Sequence, residues 1–423
     1  MAKYIIQFNE ANFDLCKRYC DKYSLPNLQK LIDSSTYINT NSEEIYENLE
    51  PWIQWYSFYT GLSYKQHNVF HLGDCLKSNH SNFLKDASHG GQDIGIFGGM
   101  NLPFDDTYKI FIPDAWTEAK TDKSFSSKLV SSALKNLVNS NARLKISYKD
   151  IAGLILLIGL PRKLTDISII FKVLISFVTK SRSSLASYFD YFFLKYSLNR
   201  AKNSNLDLSL IFLNGFAHIQ HHYMFSSEFV EGSNPSWYAS DDRDLLLESL
   251  YIYDKSFGLL LNTLNKGDEY FVLTGLTQEP YKEPFIYWRL RSPEKIFSKF
   301  LLFNFKINPR MTRDFELVVD NNNNISEVIK FLNNAEIKDG VNVYKAFGDI
   351  HKNSNNSVFA SFVYSNLNNS ISLHYGDKKL SIDNDIDFIA IKNAGHDQRG
   401  WFISNKKLIN DNIDIWNASK LIS

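Results

Sequence analysis

Tyr4-Ile5-Ile6-Gln7-Phe8-Asn9-Glu10 is an apolar run that stops at a polar pair. Its length and near-continuous apolarity suit a strand buried on both faces. Phe13 to Tyr23 follows with helical spacing, and Leu25-Pro26-Asn27 opens a second helix through Ile32, proline being favoured in a first helical turn. A strand that passes through a polar pair into a helix is how α/β folds begin. In such sheets ligands bind beyond the carboxyl ends of the strands, so Asn9 and Glu10 stand where a site is expected.

The same pattern recurs outward along the chain. Ile94 to Gly99 reads as a strand with a glycine turn, Leu208 to Leu213 as a strand before Asn214, and Tyr270 to Leu273 as a strand before Thr274. Helices between them predict an α/β fold with a mostly parallel sheet. The core is expected in two parts, 1–125 and 206–300, separated by a helical insertion over 126–205. That insertion holds two apolar runs, Ile151 to Leu160 and Ile167 to Val178, split by Pro161-Arg162-Lys163. Both are shorter than the ~20 residues that cross a bilayer. They suit a helical hairpin packed over the core, or a peripheral membrane contact through 151–178 with Arg162, Lys163, Lys172, Lys180 and Arg182 toward anionic headgroups. Residues 301–385 are Asn-rich and alternate in segments such as Ser357 to Tyr364 and Ile371 to Tyr375, as in a smaller, C-terminal β-rich subdomain. Phe388 to Ile391 then reads as a core strand returning in 386–423, which would deliver Gly395-His396 to the same sheet edge.

With 423 residues, 44% of them hydrophobic, the chain can bury a large core. Lys plus Arg and Asp plus Glu both number 46, so no global field favours nucleic acid. Cys16, Cys20 and Cys75 are too few and scattered for a disulfide framework, and the N-terminus lacks a signal-peptide pattern. A cytoplasmic, or membrane-peripheral, protein is expected. Oligomeric state is not legible.

Asn214-Gly215-Phe216-Ala217-His218, with Gln220, His221 and His222 behind it, concentrates histidines at a strand end, where imidazole serves as zinc ligand or proton shuttle. His396, in Ala394-Gly395-His396-Asp397, is a second candidate or an ordinary loop histidine. Leu49-Glu50-Pro51-Trp52-Ile53-Gln54-Trp55 combines a carboxylate, an amide and two indoles three apart on one helix face, a pocket wall or simple core packing.

These blocks together resemble the type I phosphodiesterase/nucleotide pyrophosphatase (sulfatase-like) branch of the alkaline phosphatase superfamily, over about two thirds of the chain. Leu25 to Leu31 resembles its T-P-N-L-x-x-L helix. Thr60 to Val69 resembles its T-G-x-x-P-x-x-H-G-V block, with Tyr64 and Asn68 as mismatches. Asn214 to His218 falls on its D-x-x-x-H metal motif, Asp254 to Gly258 on its D-x-x-x-G helix, and Gly395-His396 on its late metal histidine. The resemblance implies an alkaline-phosphatase-like sheet flanked by helices and a metal-dependent hydrolase, but the departures cut deep. Leu49 or Pro51 stands where a nucleophile belongs. Asn9 and Asn214 replace two aspartates, and Thr274-Gly275-Leu276-Thr277 replaces the S-D-H-G ligands.

A degenerate active site is therefore expected, holding one divalent cation, zinc or manganese, or none. Glu10, His218 and His396 would be its ligands. Glu10, Glu50, Gln54 and Gln278 are the candidate catalytic groups, and Asn9, Trp52, Trp55, Asn214 and His222 the substrate-binding ones. Two functions follow. One is a hydrolase or transferase acting on a small-molecule or glycan-linked phosphate, sulfate or sugar phosphate, as in surface polysaccharide synthesis. The other is an inactive, metal-free protein that binds a sugar or nucleotide with Trp52, Trp55, Trp116 and the histidines.

Overall fold

A computed structural model describes all residues except 46–48, 140–146, 160–163, 179–182, 241, 311–312, 367–369, 409–410 and 423. The cationic residues Arg162, Lys163, Lys180 and Arg182 lie outside the described residues. By its contacts the chain divides into Met1–Pro280 with Ala394–Ser423, and Tyr281–Asn393.

The first unit is built on an eight-stranded sheet. Strand β1, Lys3–Phe8, lies between β5, Leu208–Leu213, and β6, Glu269–Leu273, and is parallel to both. Beyond β5 come β3, Ile94–Gly99, and β4, Ile110–Pro113, again parallel. The apolar runs explain the order: β1, β3, β4 and β5 are buried nearly throughout, as strands covered on both faces must be. The expected mixed α/β architecture with a mostly parallel central sheet is thus present.

The return of the chain to this sheet differs from expectation. Phe388 to Ile391 belongs to the strand Ile386–Asp397, which pairs with Thr277–Leu290 outside the central sheet. It is only partly buried, with Phe388 exposed and Ile391 buried, unlike β1, β3, β4 and β5 of the central sheet. The central sheet is rejoined by Arg399–Ser404, antiparallel to β6 and to β2, Thr36–Asn41. An antiparallel strand begins where its parallel neighbours end, so His396, three residues before Arg399, reaches the rim formed by the ends of β1, β5 and β6.

Two motifs of the sequence meet in a structural joint. Asp254, on the helix Leu245–Thr263, accepts hydrogen bonds from the backbone N–H groups of Asn27 and Leu28 at 2.7 and 2.9 Å and from Asn27 Nδ2 at 2.9 Å. It thereby caps the helix Pro26–Asp33, whose own N-cap residue is leucine and supplies no side-chain bond. Gly258 allows the approach, since a Cβ there would lie 2.8 Å from Asn27 Cγ. The Pro-Asn-Leu and Asp-x-x-x-Gly signatures are therefore two sides of one contact.

The second unit is antiparallel, with sheets ordered 342–345, 336–339, 371–375, 378–381 and 347–354, 357–362, 314–319, 305–309. Its core gathers Phe297, Phe331 and Phe347 under the helix Ile325–Asn334.

Replacing the buried cap, Asp254→Ala, is expected to lower the unfolding free energy by about 1–2 kcal/mol. Urea unfolding measures it, and an unchanged midpoint would mean that Asp254 does not cap the helix.

Candidate functional site

Glu10 is placed by backbone strain. It takes φ = 57°, a left-handed conformation uncommon outside glycine. Both of its backbone groups are held there: its N–H donates to Thr274 O at 2.8 Å, and its carbonyl accepts from Gln220 Nε2 at 2.8 Å. Gln220 Oε1 in turn accepts from the Asn12 N–H at 2.8 Å, and Asn12 caps the helix Phe13–Lys22 through Leu15 N–H. The fully buried Gln220 thus clamps the turn that aims the carboxylate.

The Glu10 carboxylate, 3% exposed, meets two imidazoles. His221 Nε2 lies 2.9 Å and His396 Nε2 3.2 Å from the same oxygen, Oε2. Gln278 Nε2 also donates to Oε2, and to Ala217 O at 3.1 Å. Asn9 Nδ2 donates to the other oxygen, Oε1, at 2.9 Å. Burial would raise the Glu10 carboxyl, but His396 and then His221 hold it well below the usual carboxylate range. Among the described residues, Glu10, His221 and His396 form the one group of three whose ligand atoms lie within 4.8 Å of one another.

The donor set fits a cation. His221 Nδ1 lies 3.2 Å from Ala394 O, a pure acceptor, so Nδ1 carries the proton and Nε2 is left toward Glu10. Such a backbone anchor is how a ligating histidine is commonly oriented. Two nitrogens and one carboxylate oxygen bound tetrahedrally at ~2.0 Å stand ~3.3 Å apart, and the Glu10–His separations are within a few tenths of an ångström of that.

The second imidazole differs from the sequence expectation. His218 is exposed and packs edge to face with His222, ring centroids 4.6 Å apart, while His221 takes the place beside Glu10. Helical geometry gives the reason: in the helix Gly215–Tyr223, residues 217, 220 and 221 share the stripe facing the β1 turn, and 218 and 222 share the next. Nothing in the sequence separates the two stripes; the burial of Ala217 and Gln220 shows which of them faces the β1 turn.

The other candidates fall into two groups. Glu50 precedes the helix Pro51–Thr60, and its Oε2 lies 3.9 Å from His396 Nδ1 with the side chain 37% exposed. Asn9, Asn214 and Trp55 form a chain of bonds: Trp55 Nε1 donates to Asn9 Oδ1, and Asn9 Nδ2 to Asn214 Oδ1, both at 2.7 Å. Trp55 is wholly buried beneath Gly275, whose positive φ and missing Cβ let the turn after β6 approach the ring. It positions Asn9 and offers no face to a ligand. Gln54 is also wholly buried, its Oε1 accepting from Glu43 N–H at 3.3 Å. Trp52 donates to Phe70 O at 2.7 Å, and Trp116 packs edge-on against Phe212.

His67, in the Thr60 to Val69 block, makes a buried contact with Ser57 of the helix Pro51–Thr60, Nε2 to Oγ at 2.9 Å. It is no nucleophile and base. Val69 N–H donates to His67 Nδ1 at 2.9 Å, which puts the ring proton on Nε2 and makes Ser57 the acceptor. Asn68 follows in a left-handed conformation, φ = 54°, which asparagine tolerates where the resembled block has glycine.

No family model matches the sequence, and no curated protein does. Among solved structures the chain is similar to phosphonoacetate hydrolase from Sinorhizobium meliloti 1021 in complex with phosphonoformate, at 10% identity, covering 99% of this chain and 94% of that chain, TM-score 0.46. It is similar to murine ectonucleotide pyrophosphatase/phosphodiesterase 5 in complex with AMP, at 10% identity, covering 100% and 94%, TM-score 0.48. It is also similar to alkaline phosphatase PafA, at 11% identity, covering 99% and 94%, TM-score 0.46.

Burial, and next the neighbouring His80, depress the His67 pKa from 6.5 to about 4. Between those values the unfolded chain binds a proton that the native chain does not, so stability falls as pH drops from 6.5 toward 4. The loss should reach about 3 kcal/mol at most. Unfolding of His67→Gln across this range should show a flatter acid limb than the parent chain; identical limbs would contradict the assignment.

Proposed function

We propose that the chain is a divergent member of the alkaline phosphatase superfamily that hydrolyses small phosphate-bearing molecules, sugar phosphates included, at a one-cation centre. Glu10, His221 and His396 hold the ion. The convergence of two imidazole nitrogens on one buried carboxylate oxygen carries this reading, because a histidine anchored through Nδ1 needs a cation or proton at Nε2.

A zinc or manganese ion bound there would bring the pKa of a bound water toward neutrality and polarise a phosphoryl oxygen. The remaining roles belong to the chain itself. Glu10 supplies the single negative charge of the ligand set, and Gln278 and Gln220 fix its carboxylate and its backbone. Glu50, accessible and beside His396, is placed to take a proton from an attacking water. Water is the expected attacking group, since Leu49 and Pro51 flank Glu50 where the resemblance puts a nucleophile. Asn214 offers a neutral amide to substrate oxygens, and Asn9 holds it in place, so the pocket presents no extra negative charge to an anionic ester. His218 and His222, on the neighbouring helical stripe, are the residues left to meet the substrate beyond its phosphate.

A second reading, a metal-free protein that binds a sugar or nucleotide without turnover, is supported by the Trp55–Asn9–Asn214 chain, which ties into Glu10 through Asn9 by hydrogen bonds that need no ion.

Metal analysis with hydrolysis of p-nitrophenyl phosphate and its bis ester separates the two. One equivalent of bound zinc or manganese is expected, lost in His221→Ala/His396→Ala, with activity down more than about 100-fold. His218→Ala should keep the metal. Metal-free protein that stays inactive when zinc or manganese is added, or an unaffected double variant, would defeat the one-cation hydrolase.

A further inference from the structure

We infer that the helices Tyr148–Ile158 and Leu164–Val178 dock on the surface of an anionic phospholipid bilayer. Both helices turn apolar side chains outward. Tyr148, Ile151 and Ile155, spaced three and four apart, are 92, 46 and 65% exposed. Ile167, Phe171 and Leu174, four and three apart, are 53, 62 and 58% exposed. Each set forms one stripe of its helix. The opposite stripes pack inward: Gly153, Leu157 and Ile169 are buried, and a Cβ on Gly153 would lie 2.3 Å from Leu129 O. Exposed apolar stripes of this kind mark an interaction site.

Charge selects the occupant. The two helices contain only two carboxylates, Asp150 and Asp166, and both are buried. Asp150 accepts from Ser147 and Ser132, and Asp166 accepts from Tyr191 and pairs with Lys195 at 2.9 Å. Lys149 and Lys172 point outward. Beside Lys172 opens a groove of about 450 Å³ whose lining includes Lys255, Tyr188 and Tyr251. Burial, and next Lys172, hold Lys255 below its ordinary value, and Asp254 alone opposes this, itself engaged in capping the helix Pro26–Asp33. Glu248, at the groove wall, is paired with Arg243 at 2.7 Å. The outward face is therefore apolar and cationic. A bilayer interface satisfies both features, with acyl chains meeting the aliphatic and aromatic groups and phosphates meeting the ammoniums. A second copy would set the lysine-bearing face against itself.

The two helices lie on the bilayer and do not cross it. Among the described residues no helix is long and apolar enough to span a membrane, and fifteen residues of helix reach only ~22 Å. The inference is independent of the chemistry assigned to the Glu10 site.

Co-sedimentation of the whole protein with vesicles of phosphatidylcholine alone, and of phosphatidylcholine with phosphatidylglycerol, tests it. Binding to the anionic vesicles should be at least about tenfold stronger. Phe171→Asp/Leu174→Asp should abolish it, and Lys172→Glu/Lys255→Glu should weaken it by about tenfold or more, both variants keeping the parent unfolding midpoint. The inference fails if the parent protein pellets with neither vesicle or equally with both. It fails too if the Phe171/Leu174 variant pellets like the parent, or if ultracentrifugation shows a dimer that those substitutions dissolve.

Discussion

A carboxylate cut off from water must be compensated by its surroundings, and Glu10 is compensated from three directions. His221 comes from the helix after β5, Gln278 from the segment after β6, and His396 from the chain just ahead of the antiparallel return. Asn9 closes the remaining side. One buried charge thereby ties together segments hundreds of residues apart, at the single rim where the parallel strands end. The left-handed backbone of Glu10 belongs to the same constraint. Strain of that kind costs about 1–3 kcal/mol and persists only where neighbours over-determine it, as Thr274 and Gln220 do here.

The amides around this charge set its chemistry. Asn9 and Asn214 stand where the resembled family has aspartates, and their hydrogen bonds run to each other and to Trp55. An amide chain of this kind is neutral, and through Asn9 it also donates to Glu10. Two cations would need several carboxylates to balance them, whereas one needs only the Glu10 charge and neutral imidazoles. The proposed single-cation centre follows from that charge count. In the proposed reaction proton transfer falls to Glu50, the accessible carboxylate on the other side of His396.

What the sequence disclosed was set by periodicity. Continuous apolar runs ending in polar residues announced β1, β3, β5 and β6, because a strand covered on both faces has no polar alternation to hide it. The antiparallel return was misplaced onto 388–391, since Arg399–Ser404 is a short strand and carries no stronger local signal than its neighbour. At the site, Glu10, Gln278 and His396 were legible as strand-end polar residues, but His218 was preferred to His221. A motif register fixes sequence spacing, whereas the face a helical residue presents depends on what packs beneath it. Gln54 and Trp55 were misjudged for a related reason: a polar or aromatic residue on a helix reads alike whether it lines a pocket or fills the layer behind one, and both are wholly buried. The clamp by Gln220 was invisible because it acts on backbone groups of a distant turn.

Anomalous diffraction at the zinc edge, from crystals of the protein grown with zinc, addresses the Glu10 centre most directly. A single peak within bonding distance of Glu10 Oε2, His221 Nε2 and His396 Nε2, with none beside Asn9 and Asn214, is the expected result. An empty cluster, a second peak at the asparagines, or an ion held by His218 and His222 instead would contradict a one-cation centre built on Glu10.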